Sequence, residues 1–199
     1  MADNNLEFYI RQDFEELTNA PVMKSPDLRT WVYFDARNSG GGPLPNTVDA
    51  NDMPITAPFT GSRYVTYNAT LGKMKIDTQF EIEWDSDLGT TMEAFLNRAL
   101  PDCLSNGYTS LMLVFSSHGG GFAGFGGDEN AGRRNRKLLQ ENAVIAQSIR
   151  SALDTAGATK LDVIGFDACL MSSVEAADDY LDVANYLLAS EAVEPGHGM

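Results

Sequence analysis

Three short apolar runs in the second half of the chain predict β-strands. They lie at residues 110–116, 161–166 and 186–190, and none alternates apolar with polar positions. Runs of this kind are typical of strands buried on both faces of a parallel sheet. Amphipathic patterns between them predict helices, at 138–156, where Gly157 ends the helix, and in a stretch with apolar Val174, Ala177, Leu181 and Ala184.

The first half of the chain has weaker patterns. Residues 7–18 predict a helix that buries Phe8, Ile10, Phe14 and Leu17, and the stretch after Asp85-Ser86 predicts another with Leu88, Met92, Phe95, Leu96 and Ala99 on one face. Residues 31–34 predict a strand, and residues 63–67 a short, exposed strand of a hairpin. Residues 38–61 are rich in Gly, Pro and Asn, which predicts a long loop.

The alternation of strands and helices predicts an α/β fold with right-handed crossovers and a parallel sheet. In such sheets, functional side chains gather at the carboxyl ends of the strands. His118 follows the first of the three apolar runs, Cys169 follows the second, and Ser190-Glu191 follows the third. We therefore expect His118, Cys169 and Ser190-Glu191 along one edge of the sheet.

Composition narrows the class of protein. The chain has 199 residues and a formal net charge of −14, which argues against nucleic acid as a partner and favours cationic ligands or peptides. No apolar stretch is long enough to predict a membrane span, and the polar amino terminus does not resemble a signal peptide. Two cysteines and two histidines predict neither a disulfide framework nor a structural zinc site. The expected organisation is one domain over residues 1–199.

Cys169 and His118 are the candidate nucleophile and base. A thiol at the start of a helix is stabilised as thiolate, and an adjacent imidazole accepts its proton. His118 precedes three glycines, whose backbone N–H groups can approach an oxyanion closely. The competing interpretations are an inert core cysteine and a structural histidine; we interpret Cys103 as a spectator. His-Gly-Gly-Gly also occurs in lipases and esterases, but no serine here lies within a Gly-x-Ser-x-Gly elbow.

The motifs resemble those of the clostripain-like cysteine peptidases, relatives of caspases, gingipains, legumains and separases. Residues 160–171 resemble the family's nucleophile strand, residues 116–121 its histidine motif, and residues 189–196 the segment after the next strand. Residues 2–7, which include Asp3-Asn4-Asn5, resemble the turn after the family's first strand. His118 precedes Cys169 by about fifty residues, an order also found in caspases.

The resemblance implies a caspase-like (caspase-hemoglobinase) three-layer sandwich with a mostly parallel central sheet. It implies an endopeptidase that cleaves after Arg or Lys, with His118 as general base and acid and Cys169 as nucleophile. The backbone N–H groups of Gly119 and Cys169 would form the oxyanion hole. Asp167 would support the pocket for the basic side chain, because a carboxylate matches a guanidinium or ammonium group. Further candidates for that pocket are Ser190, Glu191 and Glu194.

Further expectations concern processing and context. Residues 121–137 form a loop with candidate cleavage sites, and we expect self-cleavage after Arg133, Arg134, Arg136 or Lys137. Compared with the family, the chain is expected to lack an element at each end. The alternative function is a weakly active or inactive peptidase-like binding or regulatory module. No cofactor is required; calcium is conceivable at Asp128 and Glu129, but no EF-hand pattern supports it. We expect a monomer that acts on peptides, and the resemblance suggests a bacterial secreted or envelope location.

Overall fold

The computed structural model describes residues 4–79, 89–127 and 139–195. Side chains are described for all of these residues except 37–41, 59, 78 and 79. The helices are α1 (Glu7–Asn19), α2 (Gly89–Ser105), α3 (Asn142–Ala156) and α4 (Val174–Tyr180), with short 3-10 turns at Pro21–Lys24 and Gly121–Ala123. The strands are β1 (Trp31–Gly41), β2 (Thr47–Val48), β3 (Phe59–Asn68), β4 (Lys73–Gln79), β5 (Met112–Ser116), β6 (Leu161–Asp167) and β7 (Ala184–Ala189). Within the three described ranges, no helix has the length and apolar character needed to cross a membrane.

The described strands form two sheets. The larger has the order β1-β3-β4-β2, and its long strands are antiparallel. One face packs against α1, where Phe14 meets Phe34 edge to face at 5.5 Å. The other face packs against α2, where Tyr64 meets Phe95 at 5.3 Å. This half of the molecule therefore has three layers, with a helix on each face of the sheet.

The smaller sheet consists of β5, β6 and β7 in that order, and all its pairs are parallel. These are the three strands predicted from the apolar runs, and their side-by-side arrangement is confirmed. Ile164 and Phe166 of β6 are fully buried in the core to which α3 contributes Ile149 and Leu153. The α3 helix ends as predicted, because Gly157 takes a left-handed conformation with φ of 74°.

The prediction that these strands are buried on both faces is wrong. Met112 and Val114 of β5 are 59% and 53% exposed, and Tyr186 and Leu188 of β7 are 72% and 51% exposed. The register places these residues on the same face, across β6 from each other. The lack of polar alternation in these strands therefore reflects apolar residues on both faces of the sheet. In the described chain, helices cover only one of these faces.

The first half of the chain also departs from the sequence predictions. The expected loop 38–61 contains the end of β1, the whole of β2 and the start of β3. The strand predicted as exposed at 63–67 is central in its sheet, and Tyr64, Val65 and Tyr67 are buried because helices cover both faces. Phe8 is 67% exposed on the outer side of α1.

The predicted helix in the last part of the chain is shorter than expected, and it buries a different face from the predicted one. It ends at Tyr180 and buries Ala176 and Tyr180, whereas Val174 and Leu181 are exposed. Ala184 belongs to β7 rather than to the helix. The pairing of β6 with β7 draws the chain into the sheet soon after the helix, and this tertiary constraint overrides the helical pattern.

Candidate active site

The candidate nucleophile and base leave neighbouring parallel strands at the same level. Ser116 at the end of β5 is in register with Asp167 at the end of β6, and the Ser116 hydroxyl donates to Asp167 Oδ2 at 3.2 Å. His118 and Cys169 each lie two residues beyond this pair. The sheet therefore brings two segments to one edge, as the sequence predicts. One is the loop that begins at His118 (the histidine loop), and the other is the turn that contains Cys169 (the cysteine turn).

Gly119 joins the two loops by direct backbone contact. A Cβ atom at this position would lie 2.2 Å from the Cys169 carbonyl oxygen and 3.1 Å from the Ala168 Cβ. Real Cβ atoms do not approach a carbonyl oxygen so closely, so the contact requires glycine. The residue after the candidate base is thus fixed against the backbone of the candidate nucleophile.

Asn5 contacts the His118 ring on the side away from its backbone attachment. His118 Nε2 lies 2.7 Å from Asn5 Oδ1, and an amide oxygen only accepts hydrogen bonds. The neutral form of the His118 ring that fits this contact carries its hydrogen on Nε2 and its lone pair on Nδ1. The sequence places Asn5 in a turn that resembles the family, but we predicted no function for it. The resemblance of that turn is the sequence signal that could have identified Asn5.

Asn4 holds the Asn5 turn against the end of β5. Its side chain is 1% exposed and donates to Ser117 Oγ at 3.0 Å and to the Gly127 carbonyl at 2.9 Å. Asn4 Oδ1 in turn accepts from the Leu6 N–H at 2.9 Å. The start of α1 is therefore attached to the segment that carries His118.

A buried hydrogen-bond chain supports the glycine loop after His118. The Gly126 N–H donates to the His118 carbonyl at 2.9 Å, and Asn142 Nδ2 donates to the Gly121 carbonyl at 2.9 Å. Asn142 Oδ1 accepts from the Tyr180 hydroxyl at 3.1 Å. Burial raises the pKa of Tyr180 far above its usual range, with a smaller contribution from Asp179, so the hydroxyl keeps its proton. The N-terminus of α3 and the end of α4 thereby position the loop.

The Cys169 thiol lies against the backbone of Glu194. The Glu194 N–H donates to Sγ at 3.4 Å, and Sγ lies 4.0 Å from the Glu194 carbonyl oxygen. Leu170, the next residue, has a left-handed φ of 65° and donates its N–H to the Ala192 carbonyl at 3.0 Å. Our expectation that Cys169 starts a helix is wrong, because α4 begins only at Val174 after an intervening turn. The Glu194 N–H supplies a dipole at Sγ instead.

Two acidic side chains share the region around Cys169. Burial and the charge of Asp167 raise the pKa of Glu194, although hydrogen bonds from Ser190 and the Ala168 backbone oppose the shift. Among the residues that the structure describes, Glu194 Oε1 is buried and has no hydrogen-bond partner. The structure therefore groups Asp167, Ser190 and Glu194, whereas Glu191 is exposed.

The other candidates fall outside this group. Cys103 is half-buried on α2, and burial raises the pKa of its thiol, which suits a spectator. The proposed cleavage sites Arg133, Arg134, Arg136 and Lys137 lie outside the described residues, as do Asp128 and Glu129. Within the described ranges, no cluster of three or more His, Cys, Asp or Glu side chains is arranged to hold a metal ion.

The whole chain, residues 1–199, matches the Clostripain family, peptidase C11. The chain therefore belongs to the clostripain family of cysteine peptidases. No sequence among the curated proteins matches it significantly.

Solved structures of C11 proteases share the fold. A secreted C11 cysteine protease from Bacteroides thetaiotaomicron, in complex with an irreversible peptide inhibitor, superposes with a TM-score of 0.68 at 19% identity, over 99% of this chain and 48% of that one. A second structure of a secreted C11 protease from that organism, called iotapain, gives 0.64 at 19% identity, over 100% and 52%. An inactive zymogen C11 protease from Parabacteroides distasonis gives 0.65 at 17% identity, over 99% and 48%. The chain spans about half the length of these structures.

Proposed function

We propose that this chain carries the catalytic groups of a cysteine endopeptidase that cleaves after Arg or Lys. The observation that carries the proposal is the contact of Gly119 with the Cys169 backbone, which joins the histidine loop to the cysteine turn. Membership of the clostripain family and the fold shared with C11 proteases support it. The helices on both faces of the larger sheet also fit a caspase-like three-layer sandwich, which we propose as the architecture of a single domain.

In the first step, the Cys169 thiol transfers its proton to His118 Nδ1. Asn5 Oδ1 accepts from Nε2–H and holds the ring in the tautomer that has its lone pair on Nδ1. The thiolate then attacks the carbonyl carbon of the scissile bond, and the carbonyl oxygen becomes an oxyanion. The N–H groups of Gly119 and Cys169 are proposed to stabilise that oxyanion.

Collapse of the tetrahedral intermediate breaks the C–N bond. The His118 imidazolium gives its proton to the departing amine, and a thioester to Cys169 remains. His118 then removes a proton from water, which attacks the thioester carbonyl. The carboxylate product leaves and the Cys169 thiol is regenerated. No cofactor takes part in these steps.

The preference for a basic residue rests on Asp167 and Glu194. Glu194 has a buried oxygen that pairs with no residue in the described ranges, and burial and the charge of Asp167 raise the pKa of this side chain. A guanidinium or ammonium group placed beside these carboxylates would donate hydrogen bonds to them and offset their mutual repulsion. We therefore propose that both carboxylates face the substrate side chain that precedes the cleaved bond, with Ser190 as a neighbouring polar contact.

Hydrolysis of two fluorogenic peptides, one ending in Arg and one in Lys, tests this function. We expect turnover by the wild type and none by Cys169→Ala. Cys103→Ala is the matched control, because it removes the half-buried thiol of α2, and its turnover should equal that of the wild type. Activity that survives in Cys169→Ala, or that requires Cys103, would contradict the assignment.

We further propose self-cleavage after Arg133, Arg134, Arg136 or Lys137. Four basic residues within five positions follow the histidine loop, and the proposed specificity would recognise each of them. Wild type should yield two fragments that stay associated, while Cys169→Ala stays intact under the same conditions. Equal cleavage of both proteins, or of neither, would contradict self-processing.

The contact between Glu194 and Cys169 Sγ favours a second candidate, a binding module in which the thiol is covered. In that case an Arg- or Lys-based electrophilic peptide would leave Cys169 unlabelled, although the folded protein would still bind the parent peptide. Labelling of Cys169, detected by mass spectrometry, would instead support the peptidase.

A further inference from the structure

Two large apolar side chains are exposed beside the candidate active site. Phe122 of the histidine loop is 77% exposed, and Leu170 of the cysteine turn is 41% exposed. The two segments adjoin, because a Cβ atom at Gly121 would lie 3.1 Å from the Leu170 carbonyl oxygen and 3.8 Å from the Leu170 Cβ. Phe122 and Leu170 therefore belong to one surface next to Cys169, which we call the apolar rim.

The backbone of Leu170 is strained. Its φ of 65° lies in the left-handed region, which glycine adopts freely and which is unfavourable for a branched side chain. The leucine side chain does not offset this strain by full burial in the core, because much of it is exposed. A strained backbone that presents an exposed apolar side chain next to a nucleophile points to contact with a ligand.

Phe122 lies in a turn whose backbone is already ordered. The Gly124 N–H donates to the Gly121 carbonyl at 3.1 Å and closes the turn. The buried Asn142 side chain donates to the same carbonyl at 2.9 Å. Because this backbone is fixed before any ligand arrives, contact with Phe122 costs little further conformational entropy.

The strand order determines the direction in which a substrate crosses Cys169. Ser190 and Glu194 follow β7 on one side of β6, and His118 follows β5 on the other side. In the proposed reaction, the basic side chain before the cleaved bond contacts the acidic group, and His118 protonates the departing amine. The substrate therefore runs from the β7 side to the β5 side, and the residue after the cleaved bond lies at the histidine loop.

We propose that the apolar rim binds the side chain of the first residue after the cleaved bond and selects a large apolar residue there, such as leucine. The inference rests on the proposed function and adds a second specificity determinant to the acidic group. A leucine of the substrate packed against Phe122 and Leu170 removes apolar surface of all three side chains from water. An asparagine of similar size would lose hydration to the same apolar contacts.

The place of the apolar rim in the site identifies the substrate as its occupant. A scissile carbonyl reaches Cys169 Sγ only if the surface next to the sulfur is open, so Phe122 and Leu170 stay accessible in an active peptidase. A second copy of the chain seated on these side chains would obstruct the same approach. The peptide that leaves from Cys169 instead crosses them in every turnover.

Two internally quenched peptides test the proposal. They contain a single arginine and are identical except for leucine or asparagine directly after it. We expect the wild type to cleave the leucine peptide with about tenfold or more higher kcat/KM, since an apolar contact of this size discriminates by that order. Leu170→Gly and Phe122→Ala should each reduce the preference to about threefold or less, because each removes one half of the apolar rim.

The matched control is Leu181→Ala, which removes an exposed leucine at the opposite edge of the sheet. Its carbonyl accepts from Lys160 Nζ at 2.6 Å, just before β6 begins. The preference of this variant should equal that of the wild type. Leu170→Gly should keep the melting temperature of the wild type, because glycine adopts this φ without strain, so a lost preference would not reflect unfolding.

A binding measurement separates this inference from the proposed function. Cys169→Ala should bind the leucine peptide about tenfold more tightly than the asparagine peptide, measured by fluorescence polarisation, and the double variant with Leu170→Gly should bind both about equally. If the wild type cleaves neither these peptides nor the Arg-ending fluorogenic peptide, the proposed function fails. The affinities of Cys169→Ala then decide the apolar rim by themselves.

Three results would overturn the inference alone. The first is cleavage of the fluorogenic peptide together with equal kcat/KM, or equal affinities, for the leucine and asparagine peptides. The second is a leucine preference that survives in both Leu170→Gly and Phe122→Ala, or that is lost in Leu181→Ala. The third is a wild-type dimer in light scattering that Phe122→Ala converts to a monomer, which would assign the apolar rim to self-association.

Discussion

His118 Nε2 and Asn5 Oδ1 lie 2.7 Å apart, although the two residues are separated by more than a hundred positions in the chain. The contact depends on Asn4, whose buried side chain fixes the same turn to Ser117 and Gly127. The turn before α1 therefore contributes to the orientation of the candidate base. Asn5 is a positioning residue for the proposed reaction, since it acts on the substrate only through His118.

Asn5→Ala should lower kcat by about 100-fold and leave KM nearly unchanged, because a misplaced base slows proton transfer without altering substrate contacts. Asn5→Asp keeps an acceptor oxygen and should recover part of the loss. Steady-state kinetics on an Arg-ending peptide measure both variants. Asn19→Ala, at the other end of α1, controls for effects on the helix; an equal fall in kcat there would contradict the positioning role.

Gly119→Ala should separate the histidine loop from the cysteine turn. The added Cβ would lie 2.2 Å from the Cys169 carbonyl oxygen, so the backbone must shift, at a cost of about 1–3 kcal/mol in the free energy of unfolding. Turnover should fall at least as sharply as in Asn5→Ala. Chemical denaturation and kinetics measure the two effects.

The matched control for Gly119→Ala is Gly42→Ala, where a Cβ atom meets nothing within 4 Å. Its stability and activity should equal those of the wild type. A normal Gly119→Ala enzyme would mean that the two loops are not fixed by this contact.

Glu194→Gln should make the folded protein more stable at neutral pH. Burial, and then the charge of Asp167, raise the pKa of Glu194 above its ordinary value of 4.5. The folded state then holds the proton more tightly than the unfolded state, so this group's contribution to stability falls as pH rises through the raised pKa. The melting temperatures of the two proteins should coincide below the ordinary value and diverge above the raised one.

The same substitution should weaken binding of basic substrates. KM of the wild type for an Arg-ending peptide should fall as Glu194 ionises with rising pH, and Glu194→Gln should lose that dependence. Glu191→Gln, which changes an exposed carboxylate three residues before Glu194, serves as the control. Identical pH profiles for wild type and Glu194→Gln would exclude Glu194 from the substrate pocket.

Tyr180→Phe should destabilise the protein from within the core. The change removes the donor to Asn142 Oδ1, which is buried, and an unpaired buried acceptor costs about 1–3 kcal/mol. Tyr186→Phe removes a hydroxyl from a side chain that is 72% exposed, and should cost less than about 0.5 kcal/mol. Urea unfolding compares them; equal stabilities would show that the hydrogen-bond chain to the glycine loop contributes nothing.

The side-by-side arrangement of the parallel strands could be predicted because strands that alternate with helices have few possible arrangements. The placement of His118 and Cys169 could be predicted because each of them closely follows one of the apolar runs. The burial of β3 could not be predicted, because its pattern records neither the α1 layer nor the α2 layer that cover it. The same limit explains the open face of β5 and β7, where apolar residues remain uncovered in the described chain.

The details of the site depend on contacts between distant segments. The contact of Asn5 with His118 and the approach of Glu194 to Cys169 each join parts of the chain that no periodicity connects. The left-handed backbone at Leu170 is also unexpected from composition, because glycine is the usual residue in this conformation. These features are set by tertiary structure and could not be predicted from residue patterns.

The shared register of Ser116 and Asp167 restricts where this chain tolerates changes in length. Because side chains alternate along a strand, loss of one residue from β5 or β6 would move His118 or Cys169 to the opposite face of the sheet. Gain or loss of residues leaves that alignment intact only outside the strands and the contacts at Gly119 and Leu170. Among homologues, length variation should therefore be absent from 112–119 and 161–170 and concentrated in the connections outside these segments.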